Sequence, residues 1–171
     1  MLLIFPPLAK ACEPPAGIAR LAASVRGQGM SCRLLDANLE GQLWLLEQPQ
    51  VATDTWSRRA IKGYAGNLAA LRDICTYRTP DRYRRAVSDI SRVLAVSATE
   101  SGTVIGLADF QQAPLSPLRS ADLIAAALEP QLNPFFPYFS SRLPELLSDV
   151  EIVGFSLNYL SQAISTFAMI G

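Results

Sequence analysis

Three short stretches gather the polar and conformationally special residues from which a ligand site can be built. They are Pro6-Pro7-Leu8 running on to Gly17, Asp36-Ala37-Asn38, and Ser156-Leu157-Asn158-Tyr159. Asp36 closes an apolar run, where a carboxylate can accept from a ribose hydroxyl or serve as a turn former or helix cap. Ser156 and Asn158 offer a hydroxyl and an amide, fit either to meet a ligand or to cap the helix that follows. The proline-rich stretch makes a rigid rim. It contains neither G-x-G-x-x-G nor a phosphate-binding loop, which disfavours NAD, FAD and ATP. The chain has no histidine. A Ser-His-Asp triad, a His-ligated zinc and a His-ligated cobalamin are therefore beyond its own residues. Cys12, Cys32 and Cys75 are odd in number and lack metal-type spacing, so they read as reduced thiols.

The elements that must position these stretches follow from periodicity. Leu2 to Phe5 is wholly apolar and ends at Pro6-Pro7, the pattern of a strand buried on both faces. Ile18, Leu21, Ala22 and Val25 mark one face of a helix, with Gly27 and Gly29 to stop it. Cys32 to Leu35 reads as a second strand, giving a βαβ unit whose two strands are parallel and adjacent. Residues 39–97 then carry helical periodicity, in stripes such as Ile61, Tyr64, Leu68, Leu71, Cys75 and Tyr83, Val87, Ile90, Leu94. Asp54 and Thr79-Pro80 are start signals for two of these helices. Thr103 to Leu107 reads as a short strand, and Ser120 as the cap of a helix through Leu128. Asn133-Pro134 opens another helical turn, and residues 151–156 return to the buried-strand pattern before a last helix.

This ordering predicts an α/β fold with strands at 2–5, 32–36 and 151–156 side by side and the first in the middle. Residues 1–38 and 150–171 form a parallel core, and residues 39–149 a mainly helical insertion. Three strands fall short of the roughly five or six of a doubly wound sheet, which predicts a fragment. Carboxyl ends of parallel strands share one edge, so the three stretches are expected to form one rim.

Half of the residues are hydrophobic and 18 % are charged, a globular composition. The 15 basic and 15 acidic residues cancel, which disfavours nucleic acid and anionic membranes as partners. Locally the balance tips. Arg58, Arg59, Lys62, Arg72, Arg78, Arg82, Arg84, Arg85 and Arg92 face only Asp73, Asp81 and Asp89. No apolar run reaches the ~18–20 residues that span a bilayer. Met1 to Phe5 has no basic region ahead of it, so a cytoplasmic protein is expected.

The opening residues Leu3-Ile4-Phe5-Pro6-Pro7, then Pro14 to Ala22 and Leu35 to Asn38, resemble the N-terminus of cobalamin-dependent radical S-adenosylmethionine proteins. Val153 to Ala163 resembles a later strand and helix of the same domains. The likeness covers roughly the first 40 and last 22 residues, and the helical stretch between them has no counterpart. It implies a Rossmann-like, cobalamin-binding or flavodoxin-like fold and a non-catalytic module that holds cofactor or substrate. Pro6, Pro7, Leu8, Gly17, Asp36, Asn38, Ser156, Leu157, Asn158 and Tyr159 are the cofactor-binding residues so implied. Cobalamin would bind without a histidine ligand. S-adenosylmethionine and a [4Fe–4S] cluster would belong to a missing C-terminal barrel, the module's partner, where an unknown substrate reacts. The family's C-x-x-x-C-x-x-C run does not occur here, nor does D-x-H-x-x-G. Of the S-x-L element, Ser156 is present and Asn158 stands for the Leu. The competing expectation is a degenerate α/β domain that binds no cofactor and recruits substrate or partner through its helices.

Overall fold

A computed structural model describes residues 1–98 and 102–171. Strand β1 (Leu2–Phe5) leads into helix α1 (Ala16–Gly27), strand β2 (Arg33–Asp36) and helix α2 (Ala37–Glu47). A helical hairpin follows, α3 (Thr55–Arg72) and α4 (Pro80–Ser97), joined through a 3-10 turn at Ile74–Arg78. Strands β3 (Thr103–Ile105) and β4 (Phe110–Gln112) precede helices α5 (Ser120–Leu128) and α6 (Phe136–Leu147), strand β5 (Val153–Phe155) and helix α7 (Ala163–Ile170).

The architecture is α/β with a small parallel sheet in the order β2-β1-β5. Leu2 aligns with Arg33 and Val153, and Ile4 with Leu35 and Phe155. Alternation along β1 sends its side chains to two cores. Leu2 and Ile4 join a large core with residues of α2, α4, α6 and α7, while Leu3 and Phe5 pack with Ile18 and Ala22 of α1. Gly154 lets β5 pass close to β1: a Cβ there would approach Leu3 Cδ2 to 2.7 Å, and that side chain would have to shift. At the end of α1, Gly29 takes the left-handed conformation (φ 77°) that turns the chain into β2.

Several expectations need correction. The second strand runs one residue later than expected, with Cys32 buried just ahead of it. The last strand is shorter than residues 151–156, and Ile152 and Val153 are exposed because β5 is an edge strand. Leu21 is half exposed, since α1 covers the sheet only along Ile18 and Ala22. Cys75 is also exposed, because α3 ends at Arg72 and Asp73 caps the 3-10 turn that follows. Ser120 is the first residue of α5 and makes no side-chain cap; Arg119 precedes the helix. The strand at Thr103 has an antiparallel partner, β4, that periodicity did not reveal.

Asp54 caps α3 as expected, accepting from the Ser57 backbone N–H at 2.9 Å. It also accepts from the Ser57 hydroxyl and, at 2.7 Å, from Arg92 of α4. These three donors hold its carboxyl well below the usual carboxylate range, the Ser57 hydroxyl contributing most. A depressed folded-state pKa adds stability that is complete above the unfolded pKa and fades as pH falls through the folded one. The urea-midpoint gap between the native chain and an Asp54→Ala variant should therefore be widest at pH 7. It should narrow as pH drops below about 4. A gap that stays constant to pH 2 would show that ionised Asp54 does not matter.

Candidate functional site at the carboxyl edge of the sheet

β1 is central, and the chain leaves it towards β2 on one side while β5 lies on the other. Strand order reverses at β1, so a crevice opens between the loops after β1 and β5. Its lining comes from the β1–α1 loop (Lys10, Glu13, Pro14), from Gly17 at the start of α1, and from Asn158 and Tyr159. The volume is about 160 Å3. Gly17 brings α1 close to the end of β5: a Cβ there would lie 3.4 Å from Asn158 Nδ2 and 3.6 Å from Ser156 Oγ.

One hydrogen-bonded bridge crosses the mouth. The Tyr159 hydroxyl donates to Glu13 at 2.8 Å, and Lys10 pairs with the same carboxylate at 3.2 Å. The Tyr159 hydroxyl, and after it Lys10, draws the Glu13 carboxyl below its ordinary range. Glu13 in turn raises both the Tyr159 phenol and the Lys10 ammonium.

The expected site residues separate into two sets. Gly17, Leu157, Asn158 and Tyr159 lie at the surface. Pro6, Pro7, Leu8, Asn38 and Ser156 are buried beneath it. The Pro6 carbonyl accepts from Gln162 Nε2 at 2.7 Å, and the Leu8 carbonyl from the Ser161 hydroxyl at 2.7 Å. From the other side Asn38 Oδ1 accepts the Ala9 N–H at 2.8 Å, and Gln42 Nε2 bonds both Asn38 and the Ala9 carbonyl. The segment after β1 is thus pinned between α2 and the 3-10 turn at Leu160–Gln162 and serves as a floor. Asp36 is half-buried and caps α2 through the Leu39 N–H at 2.9 Å. Burial pushes its carboxyl up, against the pull of that hydrogen bond.

Ser156 and Asn158 do not use their side chains to cap the last helix. Gln162 caps instead the 3-10 turn Leu160–Gln162 that precedes α7, its Oε1 accepting from the backbone N–H groups of Asn158 (2.9 Å) and Tyr159 (3.0 Å). Gln162, Lys10 and Glu13 are the contributors that sequence reasoning missed. A buried glutamine four residues after Asn158 leaves no periodic trace.

A larger groove of about 470 Å3 lies between the segment from Asp109 to Pro117 and Leu160, Ser161 and Ile164. It is lined by β4 and the loop after it, away from the switch point of the parallel sheet, so the smaller crevice is the better-placed candidate. Among the described residues, no three His, Cys, Asp or Glu side chains come together as a metal-binding group. Nor is any helix among them long and apolar enough to cross a membrane.

Fold and geometry together define an α/β domain with a small parallel sheet and a crevice at its switch point. Comparison with protein-family models, with curated proteins and with solved structures finds no match.

Proposed function

We propose that this chain is the non-catalytic, cofactor- or substrate-holding module of a cobalamin-dependent-type radical S-adenosylmethionine enzyme. The observation that carries the reading is the crevice between the loops after β1 and β5, at the point where the strand order reverses. The resemblance of Leu3 to Pro7, Pro14 to Ala22 and Val153 to Ala163 adds the family. On this reading a barrel domain of the same polypeptide, holding S-adenosylmethionine and a [4Fe–4S] cluster, supplies the reaction.

The crevice does not enclose a corrin. At about 160 Å3 it is smaller than the roughly 300–1,000 Å3 of pockets that bury drug-sized ligands, and a corrin is bulkier than those ligands. The module therefore contributes one wall, formed by Gly17, Asn158 and Tyr159, with space for a small polar substituent. With no histidine in the sequence, no imidazole of this chain reaches a cobalt.

The test is equilibrium dialysis against hydroxocobalamin, read by corrin absorbance. One wall alone should give saturable but weak binding, with Kd above about 10 μM. Ser156 is a poor place to block the rim, because it is 6 % exposed and a Trp there would overpack α1. Asn158 is exposed and lines the crevice. Asn158→Trp should weaken binding at least about tenfold and leave the melting temperature unchanged. Equal affinity in that variant would move the site elsewhere.

A second reading, an α/β domain that holds no cofactor and recruits a partner, is favoured by the pinned, buried segment from Pro6 to Ala9. Absence of any retained corrin up to about 1 mM would decide for it.

A further inference from the structure

The helical hairpin α3–α4 concentrates positive charge, and the fold sharpens that excess. Of its three acids, Asp89 is turned inward, 6 % exposed. It accepts from Trp56 Nε1 and Asn67 Nδ2, both at 3.2 Å, and pairs with Arg59 at 3.4 Å. Arg92 is paired with Asp54. Lys62, Arg72, Arg82 and Arg85 are exposed and make no ion pair among the described residues. Arg84 has only a loose contact with Asp81 at 3.8 Å, its side chain 79 % exposed.

Along α4, Arg84 and Arg92 border a largely apolar strip that Ser88 and Ser91 interrupt. Val87 and Ala95, with Trp56 of α3, lie in a shallow groove of about 460 Å3 that Arg84 and Arg92 also line. From Tyr83 to Ala95 the groove follows the helix for roughly 18 Å, at about 1.5 Å per residue. That length suits about three turns of a second helix.

From this arrangement we infer that the outer face of α4 is a docking surface for an acidic amphipathic helix of a partner protein. The partner's apolar stripe covers Val87, Ala95 and Trp56, and its flanking carboxylates meet Arg84 and the neighbouring cations. Charge complementarity sets orientation and speeds encounter, while the apolar strip supplies affinity. Single-stranded nucleic acid is the weaker occupant, because its bases need free aromatic faces. The Arg92 guanidinium already lies 5.0 Å from the centre of the Trp56 ring, and Tyr77 packs against Tyr83 at 5.3 Å. This surface is independent of the crevice at the sheet edge.

The experiment is fluorescence anisotropy with the full chain and a labelled helical peptide of about two heptads, leucine at its apolar positions and glutamate flanking them. A lysine-flanked version and an oligouridylate of similar length are run beside it. The glutamate peptide should bind, weaken with added salt, and lose at least about tenfold affinity in Arg84→Glu and in Val87→Glu. Arg84 is exposed, so its variant keeps the native melting temperature and reports on docking even if Val87→Glu disturbs the fold. No binding up to about 1 mM, equal binding of the lysine peptide, or unchanged affinity in Arg84→Glu overturns the inference. Tighter binding of the oligouridylate also overturns it and assigns the face to nucleic acid.

Discussion

Replacing Phe135 by alanine should destabilise the protein by about 3–5 kcal/mol, the range for removing a large side chain from a packed core. Phe135 is fully buried, at 0 % exposure. Its ring stands 6.0 Å from Phe110 of β4 and 6.1 Å from Phe139 of α6. Gly41 of α2 passes so near that a Cβ there would sit 3.1 Å from Phe135 Cδ1. The side chain therefore joins the β3–β4 hairpin to α2 and α6, two helices that also meet where Glu40 accepts from Tyr138 and Arg142. Urea unfolding followed by circular dichroism measures the loss. A cost under about 1 kcal/mol would mean that the aromatic cluster is not the centre of the core.

Gln162→Met should cost about 2–4 kcal/mol, since it removes the partners of several hydrogen-bonding groups while keeping the side chain's shape. Gln162 is at 0 % exposure. One amide group ties the Pro6 carbonyl after β1 to the Asn158 and Tyr159 N–H groups after β5. Met has no donor and only a weakly accepting sulfur, so the buried Pro6 carbonyl is left without its donor. The effect should also be local: the amides of Asn158 and Tyr159 should exchange with solvent faster than those of β1. A variant as stable as the native chain, with unchanged exchange at both residues, would show that the crevice is braced by other contacts.

The strand order was legible because Leu2 to Phe5 is apolar at every position, and only a strand covered on both faces uses such a run. A βαβ spacing then placed β2 beside it. The extent of β5 was not legible. Ile152 and Val153 have buried-strand composition but lie exposed on the sheet's edge, and composition does not state which strand is outermost. The β3–β4 hairpin escaped for a related reason. The apolar run at Thr103 marked β3, but β4, three residues long and carrying two glutamines, shows too little alternation to register.

Of the site, the loops were readable and the roles within them were not. Strand ends and turn residues marked Gly17, Asn158 and Tyr159, which do line the crevice. Asn38 carries the same turn chemistry yet spends its amide on Ala9 and Gln42 beneath the surface. Which polar group faces solvent depends on how α2 and the 3-10 turn ahead of α7 grip the segment after β1. That is a tertiary property with no local signature. Lys10 and Glu13 look like ordinary loop charges until Tyr159 arrives from the far end of the chain.

The central claim, that the crevice between β1 and β5 is where this module meets its ligand, is tested most directly by amide-shift mapping. Hydroxocobalamin is added to the isotope-labelled chain and the perturbed residues are assigned. The expected result is a saturable set of shifts confined to the loop from Lys10 to Gly17 and to Leu157, Asn158 and Tyr159, with α3, α4 and α5 silent. Shifts centred on the larger groove near Pro114 and Ile164, or none at any concentration reached, would contradict it.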